Sequence, residues 1–289
     1  MSQILVNGLL TGGLYALVAV GFSLVWGVMN VVNIAHASYI MLGAYITYWL
    51  FHLYGLDPFL SIPVSMAALF LLGYAVGSLV LNRVVRFGLV MTLVLTFGID
   101  MILQNGALLL WSADYRSITP AYAGQGLAAG GVMIPYVRLA VFVLAVLFVA
   151  LFSLFLSRTR MGNAIKATAL NPFAAELNGV RIQRVYALTY AIGAALAAAA
   201  GSMVSVVYTI HPQVGNVFLT RAFVITVLGG LGSIPGALLG GVILGLAESL
   251  ATVTVGIGWS EAISFTLLVA ILIVRPQGLL GKRFFGGVG

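Results

Sequence analysis

Apolar runs of about twenty residues recur along the whole of this 289-residue chain, separated by short polar interruptions. Crossing the hydrocarbon core of a bilayer takes roughly 20 mainly apolar residues per helix, so the pattern specifies a series of membrane helices. Of the residues, 62% are hydrophobic and 7% charged, against about 25% charged in an ordinary soluble domain. A soluble protein is excluded. The expected fold is all-α, a polytopic transmembrane helical bundle in which residues 1–289 form a single domain.

Apolar segments fall at 4–26, 34–54, 59–82, 88–111, 138–157, 185–209, 219–235, 236–255 and 260–275. Segment 219–235 is short and holds Gly229, Gly230, Gly232 and Pro235, which fits a full crossing, a broken helix or a re-entrant loop. Charge parity chooses between them. Arg83 and Arg86 share one connection, Arg158, Arg160, Lys166, Arg181 and Arg184 another, and Arg275, Lys282 and Arg283 follow the last segment. The positive-inside rule places all three groups in the cytoplasm. Four crossings then link residue 185 to the basic tail, so 219–235 counts as one of nine, with the N-terminus outside and 112–137 an outer loop. Splitting or fusing glycine-broken pieces gives a range of eight to ten spans. No basic residue precedes the first apolar run, so it is expected to be a span and not a cleavable signal peptide.

The absence of cysteine removes disulfides and thiolate chemistry, and three scattered histidines lack metal-ligand spacing. No cofactor or metal is expected. The formal charge of +7 comes from residues at the ends of apolar segments and reports topology, not affinity for nucleic acid. There is no Gly-x-x-x-x-Gly-Lys-Ser/Thr phosphate loop. Nor do the intramembrane polar residues form a nucleophile–base pair, so the chain is not expected to be an enzyme.

The most polar cytoplasmic stretch, 158–184, is far longer than a turn requires. Asn171 as N-cap, Pro172 at the first helical position and Asn178-Gly179 as a stop predict a short helix over 172–177. With Phe173 and Leu177 exposed, that helix suits either a groove in a partner protein or an anionic membrane surface.

These residues carry a family resemblance. Ala174-Ala-Glu-Leu-Asn-Gly-Val180 resembles the ATPase-contacting loop of branched-chain amino acid ABC permeases, and the preceding Arg160-Met-Gly-Asn-Ala-Ile-Lys-Ala fits the same family. So do Asn7-Gly-Leu-Leu-Thr-Gly-Gly-Leu-Tyr-Ala-Leu, Asn33-Ile-Ala-His-Ala, Leu228-Gly-Gly-Leu-Gly-Ser-Ile-Pro-Gly-Ala-Leu-Leu-Gly-Gly and Arg275-Pro-Gln-Gly-Leu-Leu-Gly. The matches span almost the whole chain in order. The resemblance implies a permease of the bacterial inner membrane. Its partners would be a related permease subunit, two cytoplasmic ATPases and a periplasmic substrate-binding protein, with leucine, isoleucine or valine as cargo. It further implies that Asn171, Pro172, Phe173, Ala174, Ala175, Glu176, Leu177, Asn178 and Gly179 dock on an ATPase, where ATP is hydrolysed.

Charges within a span cost several kcal/mol, at least about 2.5 on insertion scales, and so mark functional candidates. Asp100 and Glu248 lie well inside. Thr96, Asp100 and Gln104 are i, i+4 neighbours and make one polar face. That face either lines a wet path or cements helices through hydrogen bonds. Glu248 is open to the same two readings. The uncharged connection 27–33 is either a tight turn or a helix break at membrane depth, and in the second case Asn33, His36 and Ser38 would flank a half-helix facing the path. A lone membrane histidine such as His36 is more often a helix-to-helix hydrogen-bonding group than a substrate contact. Arg221 is expected near the outer mouth, snorkelling to headgroups. Gly236, Gly240, Gly241 and Gly245 predict close helix approach. Two rival functions stay open: an ABC permease for another small polar solute such as urea or a short amide, and an ion-coupled secondary transporter using Asp100 and Glu248.

Overall fold

A computed structural model describes residues 1–129 and 131–281. Among them are eleven helices, counting the unbroken helical run from Ile62 to Phe87 as one, and a single β-hairpin. The helices are α1 (Ser2–Met29), α2 (His36–Tyr54), α3 (Ile62–Phe87), α4 (Leu89–Trp111), α5 (Tyr136–Arg158), α6 (Arg160–Leu170), α7 (Pro172–Leu177), α8 (Ile182–Val207), α9 (Val214–Gly229), α10 (Ile234–Thr254) and α11 (Ser260–Val274). The hairpin pairs β1 (Gly126–Ala129) with β2 (Val132–Pro135), antiparallel with Gly126 opposite Pro135.

Six helices, α1, α3, α4, α5, α8 and α10, are long and apolar enough to span a membrane, and α9 and α11 are shorter apolar helices. The 19-residue α2 carries more polar side chains. Each apolar segment expected from sequence coincides with a helix, with one shift: the segment set at 219–235 is a helix over Val214–Gly229. Gln213 as N-cap and residues 214–216, all counted with the loop, start it, and Gly230 and Gly232, both at positive φ, end it ahead of Pro235. Lys282 and Arg283 lie outside the described residues.

Helices α1 and α8 occupy the centre, whereas α3, α4 and α5 turn most of their surface outward. Small residues decide this. Over 193–201, α8 reads Gly-Ala-Ala-Leu-Ala-Ala-Ala-Ala-Gly, and α2 crosses it so closely that a Cβ on Gly43 or Gly201 would strike the backbone of Ala198 or Ile40. The glycines of α10 serve α1 in the same way: a Cβ on Gly8 would come 2.9 Å from the Gly245 carbonyl, and one on Gly12 would come 2.8 Å from that of Gly241. Without a hydrophobic force between helices in lipid, this close backbone contact supplies the dispersion energy of association.

The connection between α4 and α5 is tied down at three places. Arg116 and Ile210 exchange backbone hydrogen bonds of 2.9 and 2.7 Å. Tyr122 donates to Asp57 Oδ2 at 2.9 Å, and burial together with that carboxylate holds its hydroxyl above the usual phenol range. Gln3 brackets Met133, donating to its carbonyl and accepting from its N–H, both at 2.8 Å.

Candidate functional site

Polar residues gather in three places. In the basic stretch 158–184, Thr159 caps α6 by accepting from Gly162 N–H at 2.9 Å, and Ile165 and Thr168 bury that helix's inner face. Asn171 then breaks the chain with an extended backbone and caps α7, its Oδ1 accepting from Ala174 N–H at 3.0 Å. Asn178 Nδ2 closes the far end on the Ala174 carbonyl at 2.8 Å, and Gly179 reverses the chain at φ 82°. The helix expected from the Asn-Pro and Asn-Gly signals is thus present with the same bounds. Ala175 faces inward, while Phe173 (71% exposed) and Leu177 (74%), one turn apart, share an outer face with Glu176 beside them.

The second place is the start of α2. After Asn30, whose φ of 53° ends α1, the chain doubles back. His36 Nε2 lies 3.1 Å from the Val18 carbonyl, eleven residues before the end of α1, or about 16 Å along its axis at 1.5 Å per residue. Residues 31–35 are therefore non-helical and largely buried. Backbone in that situation needs protein partners, and Thr96 of α4 supplies them: its hydroxyl accepts from Ile34 N–H at 3.2 Å and lies 3.1 Å from the Val32 carbonyl. Asn33 Oδ1 accepts from the Tyr190 hydroxyl at 3.0 Å. Ser38 donates to Asp100 Oδ1 at 2.5 Å, and Gln104 Nε2 donates to Asp100 Oδ2 at 2.7 Å and to Asn216 Oδ1 at 3.1 Å. The Asp100 carboxylate thus sits against the first turn of α2, where the helix dipole favours negative charge. Six of the seven path candidates, Asn33, His36, Ser38, Thr96, Asp100 and Gln104, meet around this helix start, all buried.

Glu248 belongs to the third place. Its Oε1 accepts from Arg221 Nε at 2.9 Å and from the Ser264 hydroxyl at 2.8 Å, and its Oε2 from the Tyr15 hydroxyl at 2.8 Å. The Arg221 guanidinium lies over the Tyr15 ring, 5.0 Å from its centroid. With side chains only 13% and 8% exposed, Arg221 and Glu248 form an ion pair inside the fold. Arg221 is therefore not a headgroup anchor: near the start of α9 it turns inward to α1 and α10, its charge held by Glu248 and not by lipid. Beside the pair opens a cavity of about 660 Å³, bordered by α1, α5, α9, α10 and the start of α11.

Sequence reasoning missed Asn216, Tyr190, Tyr15, Ser264 and the Arg221–Glu248 pairing. Charge balance held a usable signal, since an arginine and a glutamate in separate apolar helices each need an opposite partner.

The family model for the branched-chain amino acid transport system permease component matches residues 4–272. The chain belongs to the branched-chain amino acid transport permease family. This permease is 34% identical over 296 residues to the high-affinity branched-chain amino acid transport system permease protein BraD of Pseudomonas aeruginosa, covering 97% of this chain and 95% of BraD. It is 32% identical to LivH of Salmonella typhimurium, with 97% and 95% covered, and 27% identical to LivM of the same organism, with 92% and 68% covered. No solved structure matches the chain significantly. It is a multi-pass membrane permease and not an enzyme.

Proposed function

We propose that this permease carries leucine, isoleucine and valine into the bacterial cytoplasm as one of two related membrane subunits of an ATP-driven importer. It works in the inner membrane with two cytoplasmic ATPases and a periplasmic binding protein. The observation that carries the reading is α7: a doubly capped helix presenting Phe173 and Leu177 outward from the basic stretch 158–184. An apolar i, i+4 pair on a fixed short helix is a ball for a socket in a soluble partner, and Asn171 to Gly179 is the segment that docks there. That LivH and LivM are both permease proteins of one transport system in one organism supports two distinct permease chains per importer.

The path candidates divide by role. Glu248 borders an open cavity, and we assign it with Arg221 to the route of the cargo. Ser38, Thr96, Asp100 and Gln104, with Asn33 and His36, hold the interrupted α1–α2 connection in place where α4 meets it. Closure of the ATPases would shift α7, and through α6 the helices behind it, between outward and inward access; such coupling requires contacts that differ between the two states.

The test is leucine uptake by proteoliposomes holding this chain and its related subunit, with ATPases, binding protein and ATP supplied or withheld. Uptake that needs all of them, and is lost on deleting residues 172–179, supports the reading. Leucine uptake without ATPases, driven by an ion gradient, would overturn it, and uptake of urea in place of leucine would overturn the cargo assignment.

A further inference from the structure

We infer that the cavity beside the Arg221–Glu248 pair is a binding station for the zwitterionic head of an α-amino acid, with the Arg221 guanidinium taking the carboxylate and Glu261 the ammonium. The inference rests on the amino-acid cargo proposed above and names where this chain holds it.

The cavity, about 660 Å³, falls within the range of roughly 300–1,000 Å³ common for small-molecule sites. It is bounded by the starts of α1, α5 and α11, the ends that the positive-inside reading turns outward, where cargo arrives. Its walls carry both signs of charge, Arg138 and Arg221 with Glu248 and Glu261, and apolar surface from Ile4 and Val253. A branched aliphatic amino acid needs that combination.

Hydrogen bonding separates three of the four charges, and Arg138 on α5, which makes no side-chain hydrogen bond among the described residues, adds positive potential to the wall. Glu248 is spent, since both its oxygens already accept from Arg221, Tyr15 and Ser264. Arg221 gives Glu248 its Nε, its Nη1 reaches only the Val217 carbonyl at 3.4 Å, and its Nη2 donates to no protein group among the described residues. The outer edge of the guanidinium therefore remains, fixed in direction by the carboxylate behind it, and that edge accepts a carboxylate in bidentate fashion. Glu261, in the first turn of α11, makes no side-chain hydrogen bond among the described residues and is exposed to the cavity. Holding Arg221 in place before the ligand arrives lowers the entropic cost of binding.

The test is the number of leucines imported per ATP hydrolysed in proteoliposomes with the complete importer, for the native chain, Glu261→Gln and Arg221→Lys. A station for the zwitterion predicts that this ratio falls at least fivefold in each variant, because the cycle runs while cargo is not received. Glu261 is exposed and unbonded, so Glu261→Gln decides the matter even if Arg221→Lys fails to assemble. A ratio at the native value in Glu261→Gln would overturn the station while leaving the importer reading intact. A native importer that hydrolyses ATP in response to its binding protein yet imports no leucine would overturn the cargo reading and the station together.

Discussion

Arg221 on α9 and Glu248 on α10 hold one another inside the bundle, Nε to Oε1 at 2.9 Å, with the Tyr15 and Ser264 hydroxyls completing the carboxylate's shell. Removing one partner of such a pair strands the other charge, a loss of about 3–5 kcal/mol, whereas replacing both by apolar groups is often neutral. Glu248→Leu should therefore lower the unfolding temperature of the purified permease sharply, and the double variant Arg221→Met with Glu248→Leu should recover most of the loss. Thermal unfolding in detergent reads this directly, and a double variant no better than the single would contradict the pairing.

The outer face of α7 predicts a different pattern. Phe173 and Leu177 are exposed, so alanine at both should leave the permease's own stability within about 0.5 kcal/mol. Burying two such side chains in a partner is worth about 1.5–3 kcal/mol each, so the double variant should weaken ATPase binding by at least tenfold. Titrating purified ATPase against the permease in nanodiscs measures both sides of the claim.

At Gly201 the prediction is steric. Its missing Cβ is replaced by the Ile40 carbonyl of α2, and overpacking typically costs about 1–3 kcal/mol, more where the obstacle is backbone. Gly201→Ala should reduce the yield of monodisperse protein. Gly98→Ala, where nothing stands within 4 Å, should not. Size-exclusion profiles of the two variants compare them.

Asp100 makes a fourth case. Leucine there would remove the carboxylate that Ser38 and Gln104 share, leaving Ser38 the backbone carbonyl of residue 100 and Gln104 only Asn216, a loss of about 1–3 kcal/mol. Asparagine keeps an oxygen for one of them and should cost roughly half as much. The order native, Asp100→Asn, Asp100→Leu in thermal stability is the expected result.

Much of this was legible in the sequence because membrane helices announce themselves by length and apolarity, and because α7 is punctuated by residues whose backbone chemistry is local: Asn171 and Pro172 at one end, Asn178 and Gly179 at the other. The start of α9 was not legible, since Gln213 and Asn216 look like loop residues until Asn216 is seen meeting Gln104. The inward turn of Arg221 to Glu248 was hidden for the same reason. The polar face of Thr96, Asp100 and Gln104 was visible from spacing alone, but what it met was not. The partners of Thr96 and Asp100 lie about sixty residues earlier, across a connection whose doubling back no local signal encodes. The glycines of α10 promised close contact without naming α1 as the neighbour.

The dependence of Ile34 and Val32 on Thr96 also sets an order of events during biosynthesis. When α1 and α2 leave the translocon, the Ile34 N–H and the Val32 carbonyl lack the partner that Thr96, sixty-two residues after Ile34, later brings. The first helical pair is thus an unfinished product, held in water or against the insertion machinery until a later segment completes it. Nascent chains stalled before Thr96 should be substrates for membrane quality-control proteases, and chains stalled after α4 should escape them.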